Sequence, residues 1–187
     1  VTDFSGMEGK TILLGKGSFG ANEGAKYIKL FGLEGKVELA DAELSNAVAA
    51  LKNGQIDGFV TAGSFPAPNV IEAAASVGVT VLSLSDDAIA KTKRARLVIP
   101  AGTYAGQGSD IVTTSLPVVA YTTTEMDEKI AYELTKTYWE QKKEMGAGAA
   151  WWNGVNEGLM ENISGKIHPG AAIFYDEIGI PLTDAQR

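Results

Sequence analysis

The chain has no cysteine and only one histidine in 187 residues. The first absence removes disulfides, thiol nucleophiles and thiolate metal sites, and the second removes every paired-histidine metal motif and most catalytic triads. Metal hydrolysis and cysteine chemistry are therefore not expected, and no metal-binding or catalytic constellation stands out in the sequence. Long apolar runs are missing too: none approaches the roughly 18 to 20 residues of a membrane span, and no charged-then-apolar leader opens the chain. No segment is expected to enter a bilayer. Positive charge is scarce, because 16 Lys and Arg stand against 23 Asp and Glu for a formal net charge of −7, and the longest basic cluster covers only residues 91–96. Such a chain is a poor match for a polyanion, and no nucleic-acid partner is expected. Lack of cysteine suits an exported protein that must avoid wrong disulfides, although many cytosolic proteins share it. The start at Val1 rather than at methionine points to processing or truncation.

What is present is a chain with 45% apolar and 21% charged residues, enough to build a core in one domain or two small ones. Up to about residue 100, short β-favouring runs at 11–14, 36–39, 56–60, 79–84 and 97–99 alternate with amphipathic segments. Leu44, Ala47, Val48 and Leu51 share a helical face behind a possible Asp41 cap, and Gly54 stops that helix. A second helix is predicted from Pro68 through Ile71 and Ala75, and Asp86-Asp87 caps a third. Strand and helix in steady alternation predict an α/β layer with a mainly parallel sheet. Beyond it, residues 111–123 read as one long β-favouring stretch interrupted by Pro117. The remainder is helical. Thr124 is placed to cap a helix carrying Ile130, Leu134 and Tyr138 on one face, Gly146 and Gly148 separate it from a Trp-rich helix, and His168-Pro169 opens a last one through Tyr175.

The most conspicuous motif is Gly15-Lys16-Gly17-Ser18-Phe19-Gly20, a G-x-G-x-x-G that follows a strand and precedes a helix, with Glu38 and Asp41 at a suitable distance for a ribose contact. No kinase elements accompany it. A dinucleotide site would also need a second mononucleotide half and a hydride-facing region, whereas the rest of the chain offers one histidine and a helical tail. A dinucleotide-dependent oxidoreductase fragment using Gly15, Gly17 and Gly20 stands as the alternative reading. Under either reading, glycines let the chain turn tightly into a helix whose free N–H groups favour a negative group, and a carboxylate serves as well as a phosphate.

Three further stretches follow in order: residues 51–66, containing Gln55-Ile56-Asp57-Gly58-Phe59-Val60-Thr61-Ala62-Gly63-Ser64-Phe65-Pro66; residues 99–107, containing Pro100-Ala101-Gly102-Thr103-Tyr104; and Ile167-His168-Pro169-Gly170-Ala171 with Tyr175, Glu177 and Gly179. With the glycine loop, these four collinear segments resemble the TAXI family of TRAP-transporter solute receptors, periplasmic proteins that capture a small solute and deliver it to a membrane permease. The resemblance implies a periplasmic-binding-protein type II-like α/β lobe with a mainly parallel sheet flanked by helices, a long crossing strand and a helical C-terminal tail. It assigns residues 1–118 to the second lobe, and residues 119–187 to the crossing strand and the helices that pack on a first lobe not present in this chain. It further implies a periplasmic location, hinge closure around a small carboxylate such as an acidic amino acid or dicarboxylate, no enzymatic activity and no cofactor.

Aligned on Gly15 and Ala25, the small polar Gly-Ser-Gly-Thr turn of the family falls on Ser18, Phe19, Gly20 and Ala21. Two hydroxyl positions are thus Phe and Ala, which removes donors and adds an aromatic wall, while Ser18 and Asn22 restore part of the polarity. A second patch spans residues 61–66, where Ser64 supplies a donor, Phe65 an apolar wall and Pro66 a fixed turn; loops at the carboxyl ends of parallel strands are where open α/β sheets bind ligands. Tyr104, in a glycine-flanked loop, has an aromatic body and a donor tip suited to a cleft edge. Ile56 and Asp57 are assigned to packing and loop bonding, His168 to a helix cap or hinge contact, and Trp139, Trp151 and Trp152 to core or lobe packing. A third reading keeps the receptor fold but gives it to partner sensing instead of transport.

Overall fold

Two adjacent apolar residues, Ile12 and Leu13, put hydrophobic groups on both faces of one short strand, which must then be covered from both sides. The computed structural model, which describes residues 1–187, shows this strand, β1 (Thr11–Leu13), at the centre of a three-stranded parallel sheet in the order β2-β1-β3. Its neighbours are β2 (Glu38–Ala40), with Ile12 opposite Leu39, and β3 (Gly58–Phe59), with Ile12 opposite Gly58. On one face Ile12 packs with Met7, Leu33 and Ile28 of α1 (Phe19–Leu30); on the other, Leu13 packs with Ile56 and with Ala47 of α2 (Ala47–Lys52). Leu13 is 0% exposed. This is the expected α/β lobe with a parallel sheet flanked by helices.

A second, antiparallel pair completes this part of the chain: β4 (Ala95–Ile99) runs against β5 (Ile111–Ser115), with Ile99 opposite Ile111. Its core joins Ile99, Tyr104 and Ile111 to Val70 and Ala74 of α3 (Pro68–Ser76). The short helix α4 (Asp86–Thr92) precedes β4, and Ser85 caps it by accepting the Ala88 N–H at 3.2 Å; Asp86 and Asp87, expected as caps, lie in its first turn, where their charge favours the helix dipole.

By its backbone contacts the chain divides into two units, Val1–Ser115 and Leu116–Arg187. In the second, α5 (Glu128–Gly148) packs against α6 (Pro169–Glu177). Gly170 makes that approach possible: a Cβ there would overlap the Glu128 carbonyl and lie 3.0 Å from the Ala131 Cβ. His168 caps α6 as expected, its Nδ1 accepting the Gly170 N–H at 3.2 Å while Nε2 donates to the Met126 carbonyl at 3.1 Å.

Several local expectations change. Asp41 does not cap the second helical segment, because its carboxylate is paired with Lys16 at 3.2 Å; a 3₁₀ turn at Leu44–Asn46 leads into α2 instead. Residues 79–84 bury Val79 and Val81 partly but form no ladder, sharing with β5 only the Leu84 N–H to Val112 carbonyl bond at 2.8 Å and the Ser83 side chain. The long strand expected over 111–123 ends at Ser115: Pro117 has no N–H to offer a ladder and restricts the residue before it. Asp127, immediately before the helix, takes the capping role expected of Thr124 and accepts from the N–H groups of Lys129 and Ile130. The Trp-rich segment forms two 3₁₀ turns, Ala150–Gly154 and Glu157–Asn162, where Asn153, Gly154, Asn156 and Gly158 disfavour an α-helix. Ile130, Leu134 and Tyr138 do share a face of α5, and it is exposed; the buried residue of that helix is Ala131.

Helix α1 packs closely on the residues that follow β1 and β3. A Cβ on Gly24 would lie 2.9 Å from Leu14 Cδ2 and 3.1 Å from Val60 Cγ1. Overpacking of this kind costs about 1–3 kcal/mol, and the better helix propensity of alanine offsets about 1 kcal/mol of it. Gly24→Ala is therefore expected to lower urea-unfolding stability by up to about 2 kcal/mol, whereas Gly63→Ala, where the added Cβ meets nothing within 4 Å, stays within about 0.5 kcal/mol of the parent.

Candidate functional site

Because β1 and β3 are parallel neighbours, the loops that follow them leave the same edge of the sheet. The first runs from Leu14 into α1. Gly15 has φ +81°, and a Cβ there would stand 2.8 Å from Leu44 Cβ; Gly17 has φ +73°. Both positions need glycine, the first for conformation and space, the second for conformation. Ser18 is extended, and its Oγ accepts the Ala21 N–H at 3.0 Å, so its hydroxyl is engaged as the N-cap of α1.

The second loop, residues 60–67, runs from β3 to α3 and meets the first. A Cβ on Gly20 would lie 3.3 Å from the Ala62 backbone nitrogen and 3.6 Å from the Ala62 Cβ, so the first turn of α1 rests against the loop that carries Ser64, Phe65 and Pro66. The loop is tied to the start of α3 by Asn69 Nδ2, which donates to Thr61 Oγ1 at 3.0 Å. Ser64, Phe65 and Pro66 are half-buried, the Phe65–Pro66 peptide is cis, and Phe65 packs against the core of β4, β5 and α3. In the first turn of α1, Phe19 is 54% exposed, Asn22 is exposed and Ala21 half-buried.

Of the expected residues, the structure thus brings Gly20 against Ala62 of the 61–66 loop; Ser18 and Ala21 flank it in the first turn of α1, and Phe19 and Asn22 are exposed there. Tyr104 differs from its expected place at a cleft edge. It is 7% exposed, its ring lies in the core with Val70, Ala74, Ile99 and Ile111, and its hydroxyl accepts the Ala67 N–H at 3.0 Å. An amphipathic ring is buried readily when its polar tip finds a partner, and the free backbone N–H at the start of α3 is such a partner. Ala62 lies in the expected 61–66 patch without having been singled out, and Ala67 and Asn69 lie just beyond it; their signal was their position after a strand and at a proline-led helix.

Asp57 lies at the opposite, amino end of the strands. Its carboxylate accepts the Thr11 N–H at 2.9 Å, and this bond, with Lys10 nearby, holds its pKa below the ordinary carboxylate value, the loop-bonding role expected of it. No group of three or more Asp, Glu, His or Cys side chains stands together as a metal cage, and no helix is long and apolar enough to cross a membrane.

On the flank of α1, Glu23 receives Lys26 Nζ at 2.7 Å and Arg94 Nη2 at 3.1 and 3.0 Å, the latter on both carboxylate oxygens. The Lys26 hydrogen bond first, then the Arg94 hydrogen bond and charge, hold its pKa below the usual 4.5. Because the folded state prefers the ionised form, the contribution of this group is present above the ordinary glutamate value and is lost as pH falls through the lowered one. Glu23→Gln should reduce unfolding free energy by about 1–2 kcal/mol at pH 7, and the gap to the parent should narrow progressively in urea titrations as pH falls below the ordinary glutamate value.

Residues 1–179 match the family model described as the NMT1-like family. This family is periplasmic-binding-protein-like, its members being binding proteins rather than enzymes, and the match lends no support to the oxidoreductase alternative built on Gly15, Gly17 and Gly20. A match over nearly the whole chain, joined to a parallel sheet flanked by helices, makes this protein a member of the NMT1-like family.

Proposed function

We propose that the chain is part of an extracytoplasmic solute receptor of the TRAP type, TAXI-like in its motifs, which holds a small carboxylate-bearing solute without chemistry and presents it to a membrane permease. The observation that carries this reading is the meeting of the first turn of α1 with the 61–66 loop through Gly20 and Ala62. Two loops thus meet at the carboxyl edge of a parallel sheet, the usual place for a ligand in an open α/β sheet. The backbone N–H groups that open α1 and its dipole favour a carboxylate there whatever the net charge of the chain.

Ser18 does not add a free hydroxyl in this reading, since it caps the helix. Recognition falls to the backbone at Phe19 and Gly20, to Ser64 as hydroxyl donor, to Asn22 at the rim and to Phe19 and Phe65 as apolar walls. Pro66 and Ala21 contribute shape. An acidic amino acid, a dicarboxylate or a 2-oxo acid supplies the shared chemistry, one carboxylate on a compact body. Periplasmic location, which the family match supports in general, and hinge closure follow from the same reading.

A thermal-shift and native mass-spectrometry panel of acidic amino acids, dicarboxylates and 2-oxo acids tests it. A ligand held at about 100 times its Kd should raise the midpoint by about 5 °C or more. Ser64→Ala should weaken that ligand about tenfold with the free-state midpoint unchanged. Absence of any response across the panel, or full affinity in both Ser64→Ala and Phe19→Ala, would overturn the assignment.

A further inference from the structure

Behind the candidate site lies a second loop system whose only visible business is to hold Tyr104. Residues 100–110 turn back between β4 and β5, and one side chain, Gln107, pins the turn: its Nε2 donates to the carbonyls of Pro100 at 2.9 Å, Ser109 at 2.9 Å and Ile99 at 3.3 Å, and its Oε1 accepts the Tyr104 N–H at 3.1 Å. Asp110 closes the base by accepting the Ala101 N–H at 2.8 Å. Tyr104 leaves this turn, passes through the core of the unit and ends on the Ala67 N–H, one residue beyond Pro66. Core packing alone would have been satisfied by phenylalanine. The hydroxyl is spent on the one backbone group that joins the 61–66 loop to α3.

We propose that Tyr104 is a positioning residue of the solute site, a strut anchored by Gln107 that fixes the Ser64-Phe65-Pro66 loop against the first turn of α1. It touches no ligand itself and acts through Ala67. The inference rests on the reading of the 61–66 loop as ligand-binding, and it adds that the height of this loop above the sheet is set from the β4–β5 turn.

The substitution that isolates the strut is Tyr104→Phe, which keeps the ring and removes the hydroxyl. Amide hydrogen exchange followed by mass spectrometry on the intact chain should show exchange of the peptide covering residues 64–67 faster by about fivefold. Peptides covering residues 100–109 and β1 should be unchanged. Gln107→Ala should speed exchange in both 100–109 and 64–67, because it removes the anchor as well as what the anchor holds. If Tyr104 merely fills the core, Tyr104→Phe leaves residues 64–67 unchanged, or loosens them together with residues 100–109, and the strut is overturned. A second arm uses sodium L-glutamate as probe. Binding weakened in Tyr104→Phe with a faster off-rate, while the free-state midpoint falls by only the few degrees that loss of one hydrogen bond implies, supports positioning, whereas equal affinity in parent and variant defeats it. If the parent fails to bind L-glutamate or any other acid in the panel, the solute reading is what has failed, and the exchange arm still decides the strut.

Discussion

The first unit depends on how closely helix α1 can lie against the sheet. Gly20 and Gly24 are one helical turn apart and share a face. At Gly24 the helix backbone takes the space between Leu14 and Val60, and at Gly20 it reaches the Ala62 backbone. With side chains at both positions, α1 would stand off from the ends of β1 and β3, and the two loops would no longer meet. The other side of the same helix is also tied down: Tyr27 Oη is 2.6 Å from Thr114 Oγ1 of β5, and Glu23 holds Arg94 just before β4. A helix fastened on both flanks is a rigid wall for whatever its first turn faces.

That close approach accounts for what the glycine motif is doing. Gly15 and Gly17 turn the chain at positive φ, and Gly20 allows contact with the neighbouring loop, the same division of labour that a dinucleotide fingerprint uses. The demand is geometric and precedes any choice of ligand. Its ligand-selective part lies in what fills the intervening positions, and here Ser18 is taken up by capping while Phe19 projects outward.

Much of the fold was legible because periodicity and punctuation agreed with burial. The β-rich run around Ile12 and Leu13, the Leu44 to Leu51 helical face stopped at Gly54, and the helices led by Pro68 and Pro169 all appear, since each is decided by residues close together in sequence. Failures came where a distant partner competed for a local group. Asp41 was lost as a cap to Lys16, and Tyr104 was drawn from a cleft edge into the core by the Ala67 N–H, 37 residues away in sequence. The site was half legible for the same reason. Its loops could be named from their place after strands, but that Gly20 and Ala62 touch depends on β1 and β3 being neighbours, which no local pattern states.

Tyr104 also bears on why the second loop need not be rigid by its own composition. Residues 61–66 contain small and polar groups; Thr61 is bonded to Asn69, Ala62 rests against Gly20 and Phe65 packs on the core, while Gly63 and Ser64 have no such hold. A loop so constituted would pay its ordering entropy at the moment of binding. Two anchors from outside reduce that cost: Asn69 holds the beginning and Tyr104 holds the end. Between them Ser64 makes no side-chain hydrogen bond of this kind, which under the proposed receptor reading leaves its hydroxyl available to a solute. The division between residues that hold and residues that are held free explains how a short loop can be ordered in the absence of ligand and still offer polar groups to one.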